Sequence, residues 1–103
     1  MHDEGLELRA FRGTRRSSLY RAHALRAADA TLVRGAAAEL GLPLLASLAL
    51  GQLDKREARR LADELTRLRA SAGLLELDDE LTALAAVANW CARATGPAWL
   101  RIT

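Results

Sequence analysis

Leu6, Leu8 and Ala10 alternate with Glu7, Arg9 and Phe11. A two-residue period puts these sets on opposite faces of an extended chain, so a short strand is expected before Gly13 and Thr14 break the pattern. The far end repeats the arrangement. Gly96 and Pro97 stop a helix, and Ala98, Leu100 and Ile102 then alternate with Trp99 and Arg101. Two such strands suit pairing into a ribbon laid on a helical body, since an isolated pair is marginal in water.

Between the ends the period lengthens. Ser17 or Ser18 is placed to cap a helix from Leu19 onward. Its early turns are irregular, but Leu25, Ala28, Leu32 and Ala36 form a stripe, with Val33, Ala37 and Leu40 beside it and Gly35 as its weak point. Gly41 is a helix stop, and Pro43 suits the first turn of a new helix. Leu44, Leu45, Leu48, Ala49 and Leu50 leave segment 43–50 apolar on nearly every side, which predicts a central core helix ended by Gly51.

The clearest pattern follows. Asp54 and Glu57 have the spacing of a capping box. Ala58, Leu61, Ala62, Leu65, Leu68 and Ala72 then mark one helical face. Arg59, Asp63 and Arg67, and likewise Arg60 and Glu64, stand four apart on the remaining surface, where ion pairs give small local support. Gly73 closes this helix. Asp78, Asp79 and Glu80 suit the positive end of the next, whose buried stripe is Leu81, Leu84, Ala85, Ala88, Cys91 and Ala92, widened by Val87 and Trp90. Arg93 lies near its C-terminal end.

These elements predict one mainly α domain over residues 1–103, a compact bundle of four or five helices with a two-stranded β-ribbon formed by the terminal segments. Composition agrees. The 103 residues include 21 Leu and 22 Ala, against Phe11, Tyr20, Trp90 and Trp99 as the aromatics and Val33, Val87 and Ile102 as the β-branched aliphatics. Leu and Ala favour helices. A chain of this length holds a single small core.

Charge changes the picture in one place. The net charge is +2, carried by 14 Arg and Lys55 against 13 acids, and the two signs balance from Gln52 onward. The excess lies between Arg9 and Arg26. There Arg9, Arg12, Arg15, Arg16, Arg21 and Arg26, with His23 among them, meet no acid. Guanidinium groups suit carboxylates and phosphates, so this segment is the candidate partner-binding region. On a helix the six would not share one face, which favours contact with a protein over a continuous nucleic-acid groove. Trp99 beside Arg101 has the composition of an interface hot spot and joins the candidate set.

Other chemistry is poorly supported. His2, His23 and Cys91 have no zinc-ligand spacing, and residues 78–80 lack the glycine and spaced oxygens of a calcium loop. The seven glycines make no phosphate-binding fingerprint. Phe11-Arg12-Gly13-Thr14 resembles the aromatic-Arg-Gly segment on the first core strand of some ADP-ribosyltransferases, but no Ser-Thr-Ser strand or Glu-x-Glu completes that site. Cys91 falls on an apolar stripe and allows no internal disulfide, in keeping with a reducing cytosol. The N-terminus lacks a secretory pattern, and the longest apolar stretch, 40–50, is too short to span a membrane.

The expected function is non-catalytic contact. A small protein-binding module of the inhibitor, antitoxin, immunity or adaptor kind would occlude a partner in a bacterial cytoplasm, with no cofactor and no metal. The alternative is nucleic-acid binding through the basic segment. The Leu-rich centre also offers a seam for a homodimer.

Overall fold

The computed structural model of the protein describes residues 5–13, 18–71 and 74–103. Over these residues the chain runs β1 (Leu6–Arg12), β2 (Ser18–Leu25), α1 (Ala27–Leu40), α2 (Pro43–Ala46), β3 (Gly51–Leu53), α3 (Lys55–Ser71), α4 (Asp78–Arg93) and β4 (Ala98–Ile102), with a 3-10 turn at Leu75–Leu77 before α4. The strands form one antiparallel sheet in the order β2-β1-β4-β3. The fold is therefore α+β. It is not a mainly α bundle carrying a two-stranded ribbon.

The two terminal strands do pair, Leu8 opposite Ile102 and Arg12 opposite Ala98. They are, however, the two central strands of a larger sheet. β2 adds to the outer side of β1, and β3 to the outer side of β4. This sheet buries one face only. Leu6, Leu8, Ala10, Leu53, Ala98, Leu100 and Ile102 point to the helices and are buried. Residues of opposite parity point away. One-sided burial is the usual state of an antiparallel sheet and the physical origin of the alternation.

β2 is the main departure from expectation. Segment 18–25 is a strand, and the first helix begins at Ala27 instead of near Leu19. Its residues are held extended by pairing with β1 along its whole length, through a register shift between Ala10 and Phe11. Tertiary pairing overrides the helical preference of Ala22, Ala24 and Leu25. The approach of the two strands is close at Gly5, where a Cβ would stand 2.1 Å from the Leu25 carbonyl oxygen. The candidate helix cap at Ser17 lies outside the described residues.

α3 and α4 form the helical layer against the sheet, and α1 and α2 pack against α3, with Leu45 and Leu48 reaching the apolar face of the sheet beside Leu6, Leu8 and Ile102. α3 starts as its sequence predicts. The Glu57 N–H donates to Asp54 Oδ1 at 2.8 Å, and the Asp54 N–H to Glu57 Oε1 at 3.2 Å. Ala58, Leu61, Ala62, Leu65 and Leu68 are buried on its inner face, while Ala72 and Gly73 fall outside the described residues. α4 buries Leu81, Leu84, Ala85, Val87, Ala88 and Cys91, with Ala92 and Trp90 packed partly against the core. α1 ends at Gly41, whose φ of 71° suits a residue without a Cβ.

The 43–50 segment is not the central core helix expected. It makes one turn, α2, and Leu50 is 76% exposed. Leu45 alone of the helix is fully buried. The turn has no local side-chain cap. Instead Glu64, reaching from α3, accepts the N–H groups of Leu44 and Leu45 at 3.2 and 2.8 Å. This contact turns Glu64 inward, so the expected Arg60–Glu64 pair on the surface of α3 is not formed. A carboxylate taken from water is tolerated there because two orphan donors of a helix start meet it.

Candidate functional site

The face of the sheet turned away from the helices collects the residues that Leu6, Leu8 and Ala10 leave behind. β1 contributes Glu7, Arg9 and Phe11, β4 contributes Trp99 and Arg101, β3 contributes Gln52, and β2 contributes Ala22 and Ala24. Because β1 and β4 are central, their side chains occupy the middle of this face. The alanines beside them are short, and leave the taller groups standing clear.

Phe11 and Trp99 are cross-strand partners. Their rings stack with centroids 4.4 Å apart and planes inclined by 15°. Both remain partly exposed. Next to them Arg9 stands directly opposite Arg101, and Arg101 is in turn opposite Gln52. Like charges placed opposite each other across a ladder repel. Glu7, two residues along β1 on the same face, engages Arg9. It is the one acid among the described residues of this face, which therefore carries two guanidiniums and a single carboxylate, engaged by Arg9. The face thus combines a flat aromatic pair with an uncompensated positive charge. Flat aromatics supply contact area at low entropic cost, and the charge favours an anionic visitor.

The other predicted partner-binding residues are dispersed. Arg12 ends β1 opposite Ala98, a buried residue, and so belongs to the helix-facing parity, exposed only because the strand ends there. Arg21 and His23 lie opposite Ala10 and Leu8, which also places them on the helix side of the sheet. His23 Nε2 meets Glu80 in the first turn of α4. Arg26 precedes α1, with Nε 3.6 Å from Asp29. Arg15 and Arg16 lie outside the described residues. The basic segment is therefore not one surface, because a hairpin sends alternate residues to opposite sides. Only Arg9, Trp99 and Arg101 of the predicted set come together on the open face. Phe11, Glu7 and Gln52 join them without having been singled out. Their signal was present: Glu7, Arg9 and Phe11 share one parity on β1, opposite to the apolar set.

Nucleophilic chemistry finds no support at Cys91. Its thiol is buried, and burial pushes its pKa up to about 11, against a smaller opposing influence of Lys55. A neutral, enclosed thiol is a small core group. Among the described residues no three His, Cys, Asp or Glu side chains converge on a point where a metal ion could be held. No described helix is long and apolar enough to cross a membrane. No protein-family model, no curated protein and no solved structure matches the chain.

Proposed function

We propose that the protein is a non-catalytic protein-binding module that docks through the open face of its sheet. The observation behind this reading is the stacked Phe11–Trp99 pair set beside Arg9 and Arg101 in the centre of that face. Aromatic and Arg residues supply most of the binding energy in protein interfaces when they cluster at the centre. Here they stand on rigid strands, so little order is lost on docking.

The partner is a protein surface carrying Asp or Glu around an apolar patch. Its carboxylates would engage Arg101 and compete with Glu7 for Arg9, while Phe11 and Trp99 lose contact with water. Action is by steric occlusion, as an inhibitor or adaptor acts. The same charge disfavours two copies meeting face to face, since that would bring four arginines together.

The test is capture of partners by the immobilised protein, with wild type compared against Trp99→Ala, Arg101→Glu and, as a remote control on α3, Arg59→Glu. A partner identified with wild type should be lost with the first two and retained with the third. It should also dissociate as salt rises. Equal capture by all four proteins would refute the assignment.

One observation favours a second reading. The aromatic pair lies on adjacent central strands with arginines beside it, an arrangement that also stacks the bases of a single strand while neutralising phosphates. A labelled single-stranded oligonucleotide at low salt separates the two. Binding that falls linearly on a log–log salt plot and is lost in Trp99→Ala would support this reading; absence of binding at low salt would exclude it.

A further inference from the structure

On the opposite side of the molecule, the outer edge of the sheet meets α4 in a second feature. Ala86, Asn89, Trp90 and Arg93 recur at helical spacing along one side of α4, and Arg21 of β2 faces them. Together with Ala94 they line a recess of about 390 Å³. It is shallow and open to solvent.

Among the described residues no carboxylate lines this recess. Glu80 pairs with His23 at the other end of α4. Arg21 and Arg93 approach it from separate elements, both exposed, and neither has an ion-pair partner among the described residues. A third cation stands behind them. Lys55 donates its Nζ to the Ala94 carbonyl at 2.5 Å. That bond occupies a carbonyl past the end of α4 and sets a cation near its negative pole, where Asp54 also acts on Cys91. Arg21 and Arg93 both line this recess, and a guanidinium can grip an oxyanion with a pair of N–H donors. The indole of Trp90 adds apolar wall, and the Asn89 carboxamide adds both a donor and an acceptor.

We propose that this recess binds a phosphate monoester carried on a planar heterocycle, the chemical class of a nucleoside monophosphate. Arg21 and Arg93 hold the phosphate, Trp90 packs against the ring, and Asn89 bonds its polar edge. The assignment does not depend on the open-face reading, since the two sites share no residue.

The test is calorimetric titration with adenosine 5′-monophosphate, adenosine and inorganic phosphate. Trp90 emission is followed in parallel in a Trp99→Phe background, where Trp90 is the sole tryptophan. The monophosphate should bind more tightly than either fragment and perturb Trp90. Arg21→Gln and Arg93→Gln should each weaken it roughly tenfold or more, with circular dichroism unchanged, because both residues are exposed. Arg9→Gln and Arg101→Gln should leave it intact. The proposal is overturned if the monophosphate binds no better than inorganic phosphate, if Trp90 does not respond, or if the open-face variants abolish binding while the recess variants do not.

Discussion

Glu64 Oε1 accepts the backbone N–H of Leu45 at 2.8 Å, so a residue of α3 caps a helix nineteen positions earlier in the chain. Its second oxygen takes the N–H of Leu44. Glu64 is only 8% exposed. Glu64→Ala strands two donors at the start of α2, one of them on a fully buried residue. The expected cost is about 1–3 kcal/mol of unfolding free energy. Glu64→Gln keeps an acceptor and should cost less. Urea denaturation checks both, with an unchanged m value showing that the unfolding transition is the same.

Gly5→Ala should also destabilise the protein, for a steric reason. The new Cβ would meet the Leu25 carbonyl oxygen at 2.1 Å and the Arg26 Cα at 3.2 Å. Both are backbone atoms and cannot rotate aside, so the first two strands must part. A loss of about 1–3 kcal/mol is expected, read as a lower thermal midpoint. An effect near zero would show that the hairpin base tolerates displacement.

The stack of Phe11 on Trp99 should register as a coupling between the two residues. Alanine at either position alone removes the ring contact, so the double substitution costs less than the sum of the two. The expected coupling is about 0.5–1.5 kcal/mol from a double-mutant cycle on unfolding. Additive effects would mean that the rings act on stability independently.

Cys91 links stability to alkaline pH. Burial raises its pKa from 9.0 in the unfolded chain to about 11 in the folded one. Between these values the unfolded thiol has released its proton while the folded one keeps it. The unfolded state then binds fewer protons, so unfolding becomes easier as pH rises through that window. Below pH 9 the effect is absent. Cys91→Ala should remove this part of the pH dependence, measured by denaturation at pH 8 through 11. In the native protein, the thiol should react with an aromatic disulfide reagent only as fast as the chain opens.

The sequence is legible where structure is local. The cap of α3 is written in Asp54 and Glu57, and the inner faces of α3 and α4 follow a clean helical period. The outer strands resist reading for two different reasons. β2 is rich in Ala and Leu, and as an edge strand it carries Arg21 and His23 on the side that elsewhere is apolar, so its alternation is inverted and its composition helical. β3 has three residues, too few to show any period. Glu64 matched a surface ion-pair spacing with Arg60, and only the position of α2 shows why it turns inward. For the site, Trp99 and Arg101 could be assigned one face from β4 alone. That Arg9 and Phe11 would stand beside them required knowing that the first and last strands are neighbours.

That adjacency also sets an order of events during synthesis. β4 lies between β1 and β3, with Leu8 opposite Ile102 and the N–H and C=O groups of Glu7 and Thr103 bonded to each other at 2.9 and 3.0 Å. β1 and β2 can form a hairpin early, but until residue 102 clears the ribosome β3 has nothing to join and the floor beneath α3 is missing. The sheet cannot close before β4 is available. The open face, with its aromatic pair, is therefore assembled only once residues 98–102 are available to join β1, so no shorter stretch of the chain can present it.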